Sequence, residues 1–442
     1  MFFVAIMGGG PAGYTAGAEL AKNGKSVIVF EKEELGGTCL NVGCIPTKTL
    51  LYSAKQFCNA QSEKYGIKAE NVAFDWDKMQ QRKDKIIRKL RAGVKQQLTN
   101  CTVIKGEATV VERTDEKVIM ECNGEQYMAE KLLICTGSSN FVPPIDGIEN
   151  NPNVWDSTAA LQAKELPQSI VIIGGGVIGM EFATLFAELG VEVSVVEFMP
   201  NILPNIDEQI SNLLKDKYQK QGIHFYLQNK VTAINRNALT IENHEGETTT
   251  LTADKILLSV GRRPNLNGLE NLGLKFNKGI EVDDFMRTNL QNVYAVGDVT
   301  SKIMLAHVAT QQAEIAAKSM LNEPTIPFGE CVIPSVVYTN PEIATVGITE
   351  QTANQLGGYI IKSIPMSFSG RFVAENEGEN GLCKVILEEK TNVIKGVHLF
   401  GNVSSEIIAT ATMAIQQKMT IEQLKQIVFP HPTVSEIIKE CL

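Results

Sequence analysis

Two cysteines five positions apart, Cys39 and Cys44, stand inside GGTCLNVGCIPTK, Gly36 to Lys48, between a glycine pair and a proline. In a regular helix, Cα atoms five residues apart are separated by about 8–9 Å, whereas a disulfide needs them within about 7 Å. The segment therefore cannot be helical throughout. Gly43 supplies backbone freedom, and Pro46 is placed to open a new helix as a first-turn proline. Cys44 then falls at or just before a helix start, where the dipole favours a thiolate. So short a loop gains little from cross-linking, so thiol–disulfide exchange is the better use of the pair. A reduced buried pair and half a zinc site are the alternatives; no second Cys/His pair at ligand spacing supports zinc, and no metal site is expected.

The elements that hold this pair are announced by an internal repeat. Val4 to Glu31 reads VAIMGGGPAGYTAGAELAKNGKSVIVFE and Ile170 to Glu197 reads IVIIGGGVIGMEFATLFAELGVEVSVVE. Gly8, Gly10, Gly13, Gly24 and Glu31 align at constant offset with Gly174, Gly176, Gly179, Gly190 and Glu197. Each copy reads as strand, G-x-G-x-x-G turn, amphipathic helix, glycine stop and a second strand ending in an acid. Such a turn aims a helix N-terminus at a pyrophosphate, and the acid reaches ribose hydroxyls. Two units imply two dinucleotides. After Glu197 no Lys or Arg occurs until Lys215, so a 2′-phosphate finds repulsion and no guanidinium, and NAD(H) is favoured over NADP(H). The first unit runs directly into the cysteines, so its ligand must exchange electrons with both sulfur and nicotinamide; a flavin does so, and FAD is expected there.

Composition sets the frame. A chain of 442 residues suits two to four domains, and net charge −9 disfavours nucleic acid and anionic membrane as partners. The cations of Asp75 to Asn100 (Lys78, Arg82, Lys83, Lys85, Arg88, Lys89, Arg91, Lys95) lie at helical spacing with apolar residues and read as a solvated helix face. The N-terminus is too short for a membrane span and lacks a basic leader, and nine scattered cysteines suit a cytoplasmic location.

GGTCLNVGCIPTK resembles the active-site segment of the class I pyridine nucleotide-disulfide oxidoreductases. CTGS (Cys135–Ser138), SVGRRPN (Ser259–Asn265), VYAVGD (Val293–Asp298), MLAH (Met304–His307) and HPTVSE (His431–Glu436) resemble further family segments, so the match covers nearly the whole chain. The resemblance implies an α/β fold: two Rossmann-like domains for FAD and NAD plus an α+β C-terminal dimerisation domain. The expected boundaries are 1–145 and 266–323 for FAD, 146–265 for NAD, and 324–442 for the interface.

The same resemblance implies residue roles. Cys39 is the interchange thiol and Cys44 the sulfur facing the flavin; His431, supported by Glu436, is a base contributed by the second subunit; Lys48 pairs with Glu181 beside the flavin. FAD contacts are expected from Gly8, Gly10, Pro11, Ala12, Gly13, Glu31, Lys32, Gly37, Thr38, Lys48, Ala108, Thr136, Gly137, Gly297, Asp298, Met304, Leu305, Ala306 and His307. NAD contacts are expected from Gly174, Gly176, Val177, Ile178, Gly179, Glu197, Val231, Val260, Gly261 and Arg262. The side chains of His224, His244, His307 and His398 lack a catalytic setting and read as structural, and Cys441 reads as an inert or frayed terminal residue, with a redox thiol as the alternative.

Within the family, the Glu197 argument, MLAH, VEFMPNILP and the lone Cys441 near the end look most like dihydrolipoamide dehydrogenases. That implies a homodimer that oxidises a dihydrolipoyl group borne by another protein, either the acyltransferase subunit of a 2-oxoacid dehydrogenase or the carrier of glycine cleavage. An NADH-dependent reductase of another disulfide or a metal ion is the alternative, and a non-catalytic FAD/NAD sensor a third.

Overall fold

The computed structural model describes residues 1–376 and 378–442. By internal contacts the chain divides into two units: 1–49, 77–141 and 261–331 form the first, and 50–76, 142–260 and 332–442 the second.

The first unit is organised on apolar strands that the repeat announces. Phe2–Met7 pairs in parallel with Val27–Glu31 on one side and Glu125–Ile134 on the other. Thr102–Lys105 extends the sheet beyond Val27–Glu31, and Val293–Ala295 joins Glu125–Ile134 in parallel. The antiparallel strands Val118–Cys122 and Thr109–Arg113 complete the other edge. Val4, Ala5 and Ile6 are fully buried, as strands covered on both faces require. Pro11–Lys22 packs against both the sheet and the helix Ala306–Leu321.

In the second unit a parallel sheet runs in the order His224–Leu227, Glu192–Glu197, Ser169–Ile173, Lys255–Leu258, Val154–Trp155. The helix Val177–Glu188 connects its two central repeat strands, and a three-stranded antiparallel ribbon over Lys230–Asn235, Ala238–Glu242 and Thr248–Thr252 is inserted before the fourth strand. The C-terminal part is a five-stranded antiparallel sheet in the order Pro334–Val337, Ile343–Gly347, Ile394–Phe400, Leu382–Glu388, Tyr359–Pro365. Ile407, Ile408, Ala411 and Ala414 of the helix Ser404–Gln416 share its apolar core with Val385 and Leu399.

A buried ion cluster ties distant parts of this second unit together. Lys384 reaches Asp207 at 2.7 Å and also Glu350, with Lys384 and Asp207 both essentially inaccessible. Asp207 precedes the helix Glu208–Lys220, so a strand of the C-terminal sheet is fastened to the segment that follows Glu197.

Candidate active site

Each glycine of the two G-x-G-x-x-G turns has a separate physical reason. Gly8 and Gly174 sit at φ +109° and +104°, where side chains are strained, and a Cβ there would meet the Cys135 and Ser259 carbonyl oxygens at 2.3 and 2.6 Å. At Gly13 and Gly179 a Cβ would lie 1.8 and 2.0 Å from the Gly8 and Gly174 oxygens, so close helix–strand packing demands glycine. Gly10 and Gly176 differ. Their φ values, −73° and −74°, suit any residue. A Cβ would meet protein no closer than 3.7 Å at Gly10 and nothing within 4 Å at Gly176. What those two glycines keep clear is space for a ligand at a helix start, as dinucleotide pyrophosphates require. The helices begin at Pro11 and Val177, with Ala12 buried behind the first turn and Ile178 on the first turn of the second.

The acids behind the turns are held from the backbone. Glu31 accepts the Gly9 amide at 2.7 Å and the Glu33 amide at 2.8 Å; Glu197 accepts those of Gly175 at 2.6 Å and Met199 at 2.7 Å. The matching geometry fixes each carboxylate beside its glycine loop. Lys32 is exposed and pairs with Glu107 at 3.3 Å.

The redox segment is built onto the first loop. The Gly36 amide donates to the Gly9 oxygen at 2.8 Å, and Gly37, at φ +57°, comes so near Gly10 that a Cβ would lie 2.7 Å from its Cα. Gly37–Val42, which carries the exposed Thr38, is a short helix; the chain breaks at Gly43, where φ is −138° and ψ −107°, and Cys44–Gln61 is a second helix. That break brings the Cys39 and Cys44 Cα atoms to 4.7 Å, and the two sulfurs are joined as a disulfide. Cys44 is the first residue of its helix. Pro46 is therefore its third, not its first, because the bend at Gly43 already starts the helical turn. Lys48 lies half-buried one turn further on.

Asn41, between the cysteines, went unremarked as a site residue in the sequence, yet it organises the loop. Its amide donates to the Glu34, Leu35 and Gly37 oxygens at 3.2, 3.1 and 2.9 Å. It accepts from Arg91 Nε and Nη2 at 3.1 and 2.8 Å, while Nη1 of the same guanidinium pairs with Glu34 at 3.1 Å. The basic helix, Trp76–Gln97, is thus no uniform solvated face: Arg91 grips the redox segment, and Lys83 is buried against Gln80 and Asp84. Lys105 hydrogen-bonds Glu34 and Arg91 lies beside it, and together they hold that carboxyl below its ordinary value.

A second network closes the first unit. Asp298 accepts from Ser138 Oγ at 2.5 Å, and Arg262 donates to Ser138 Oγ and O, both at 2.7 Å, and to Asn140 at 2.6 Å. Arg262 and Gly261 accordingly group with the first unit, while Val260, exposed, closes the 142–260 segment of the second. Thr136 and Asn265 exchange hydrogen bonds at 2.8 and 2.9 Å, and Asn265 also donates to the Gly137 oxygen at 2.9 Å. Gly297 donates to buried Gln312 at 2.7 Å. Met304 and Leu305 lead into the helix that Ala306 and His307 open. Ala108 and Val231 are buried.

The second unit carries Glu181, buried and accepting the Tyr338 amide at 3.1 Å, and the C-terminal dyad. His431 Nδ1 lies 3.0 Å from Glu436 Oε1, with the imidazole 79% exposed. The other Glu436 oxygen accepts the Thr433 amide at 2.8 Å. That amide and His431 hold the Glu436 carboxyl below its ordinary value, so it stays ionised as a partner for the imidazole. Among the described residues no cluster of His, Cys, Asp and Glu forms a metal site, and no helix is long and apolar enough to cross a membrane.

Comparison with known proteins assigns this arrangement to a class. Residues 2–313 match the pyridine nucleotide-disulphide oxidoreductase model, and residues 333–442 match the dimerisation domain of those proteins. The chain belongs to the pyridine nucleotide-disulphide oxidoreductase family. It is 36% identical to the dihydrolipoyl dehydrogenase of Geobacillus stearothermophilus over 446 residues, 98% of this chain and 94% of that protein. It is equally identical to a dihydrolipoyl dehydrogenase of Bacillus subtilis over 447 residues, with the same coverage. Among solved structures, the HOCl-induced flavoprotein disulfide reductase RclA of Escherichia coli aligns with TM-score 0.88 and 30% identity over 100% of this chain and 99% of that one. LpdA of Mycobacterium tuberculosis shares the fold, with TM-score 0.92 at 24% identity over 100% and 99%. The protein is a flavin-dependent disulfide oxidoreductase with a redox-active disulfide. FAD and NAD(H) are the cofactors of this family, and both glycine cradles fit them. The dimerisation domain supports a homodimer.

Proposed function

We propose that the chain is a dihydrolipoyl dehydrogenase that oxidises protein-bound dihydrolipoamide to lipoamide and reduces NAD⁺ to NADH. The observation that carries this reading is the Cys39–Cys44 disulfide at a helix start, in a chain 36% identical to dihydrolipoyl dehydrogenases over almost its whole length. His431, oriented by Glu436, takes the proton of an incoming dihydrolipoyl thiol, and the thiolate attacks Cys39. Cys44 leaves as a thiolate favoured by the helix dipole. The second lipoyl thiolate then displaces Cys39 and closes the lipoyl ring. Bound FAD supplies the two-electron path from the dithiol to NAD⁺. In this reading Lys48 pairs with Glu181, each site takes its His431 from the second subunit, and the lipoyl group arrives on a separate carrier protein in the cytoplasm. Residues 1–145 and 266–323 serve FAD, 146–265 serve NAD, and 324–442 form the interface.

The likeness to RclA favours a second reading, NADH-dependent reduction of a disulfide or metal ion by the same centre. Initial rates on the FAD-loaded protein separate the two. Dihydrolipoamide with NAD⁺ should exceed NADH-driven reduction of low-molecular-weight disulfides or Cu(II) by at least about tenfold in kcat/KM. The opposite ranking would reject the first reading in favour of the second.

A further inference from the structure

Seven cysteines lie outside the redox disulfide, and two of them are neighbours. Cys383 is on the strand Leu382–Glu388, fully buried on the face that Val385 and Leu387 share. Cys441 caps the short helix Glu436–Glu440 and is 3% exposed, so the terminal segment is docked rather than frayed. Its sulfur lies 3.6 Å from the Cys383 and Lys362 carbonyl oxygens, which sets the two cysteines side by side in one apolar core. Lys362 additionally binds the Leu442 oxygen through its ammonium group.

We propose that Cys383 and Cys441 form a second dithiol–disulfide couple, a site of oxidation by hydroperoxides separate from Cys39–Cys44.

The two sulfurs have unequal roles. The hydrogen bond from Cys383 and the nearby Lys362 charge hold the Cys441 thiol below its ordinary value, whereas the same hydrogen bond and burial push Cys383 up. Burial pushes Cys58 and Cys101 up to about 11, and raises Cys122, Cys135 and Cys331 as well, so Cys441 is the thiol primed to react. The Cys441 thiolate attacks the peroxide: an S–O bond forms, the O–O bond breaks, and the alkoxide leaves as the alcohol after taking a proton. The Cys383 sulfur then attacks the sulfenic acid. An S–S bond forms, the S–O bond breaks, and hydroxide leaves as water with the Cys383 proton. Two thiols are oxidised while one hydroperoxide is reduced to alcohol and water. Access requires local opening of the five-residue helix that Cys441 caps, a short element held by few backbone hydrogen bonds. The product bridges the strand to the helix that begins at Glu436, the partner of His431.

The test uses the FAD-loaded full chain, whose Cys39–Cys44 pair is already oxidised. Hydrogen peroxide is added stoichiometrically, thiols are blocked with N-ethylmaleimide under denaturing conditions, and tryptic peptides are mapped without reduction. The expected product is a disulfide-linked peptide pair spanning 372–384 and 440–442, which grows with peroxide. In Cys383→Ser, dimedone should label Cys441. Recovery of both cysteines as maleimide adducts, or of Cys441 as sulfinic acid without the linked pair, overturns the proposal. Dimedone labelling of Cys383 in Cys441→Ser, with Cys441 unlabelled in Cys383→Ser, overturns the assignment of the attacking sulfur.

Discussion

Glu197 receives two backbone amides beside the second glycine turn, so a 2′-phosphate bound against it would meet a carboxylate anchored in place. The unaltered enzyme should prefer NAD⁺ to NADP⁺ by at least about 100-fold in kcat/KM. Glu197→Arg should narrow or reverse that ratio, and equal use of both cofactors by the unaltered enzyme would refute the assignment. The glycines make a sharper prediction because their reasons differ. Gly13→Ala should destabilise the protein by about 3 kcal/mol in urea titration, since its Cβ collides with backbone. Gly10→Ala should leave the FAD-free protein as stable as before yet lower the FAD retained on purification; an unchanged flavin-to-protein absorbance ratio would contradict the ligand role of that space. The glycine pattern, the cysteine pair and the His–Glu dyad were all legible in the sequence, because each is local and its spacing carries its chemistry. Asn41 and Arg91 were not. An asparagine inside a loop and one cation among eight have no spacing signature, and only the fold shows them meeting.

At the scale of elements, the buried histidine of the C-terminal sheet links stability to pH. His398 is fully buried, with Nδ1 2.5 Å from Thr345 Oγ1 and Nε2 2.7 Å from the Ile348 oxygen, and burial holds its pKa below the usual 6.5. The unfolded chain therefore binds a proton at a pH where the folded chain does not. Stability is fully present above about pH 6.5 and falls as pH drops toward the depressed folded value. Melting temperature should decline over that window, and His398→Gln should flatten the decline; an identical slope in the variant would contradict it. Lys384→Met should destabilise by about 3–5 kcal/mol, by leaving Asp207 buried without its partner. Reading His398 as structural agreed with its burial, while the Lys384–Asp207 pair was invisible because its members lie 177 positions apart. The helix that follows the redox pair was legible in kind but shifted at its start, since Gly43 rather than Pro46 sets where it begins.

At the scale of the whole molecule, the redox cysteines belong to one contact unit and the His431–Glu436 dyad to the other, at the far end of the chain. Sequence repeats made both Rossmann sheets readable. They carried no information on which segments share a unit, because that depends on contacts such as Arg262 with Ser138 and Lys384 with Asp207. The central claim is that a Cys39–Cys44 pair from one chain works with His431 from its partner in oxidising dihydrolipoamide. Co-expression of Cys44→Ser and His431→Ala chains, each nearly inactive alone, tests it directly. With random pairing half the dimers are mixed, and each mixed dimer holds one intact site if the histidine crosses between subunits. NAD⁺-linked dihydrolipoamide oxidation should then recover to roughly a quarter of the unaltered level. Activity no higher than that of either parent, with mixed dimers verified by mass spectrometry, would contradict the shared site.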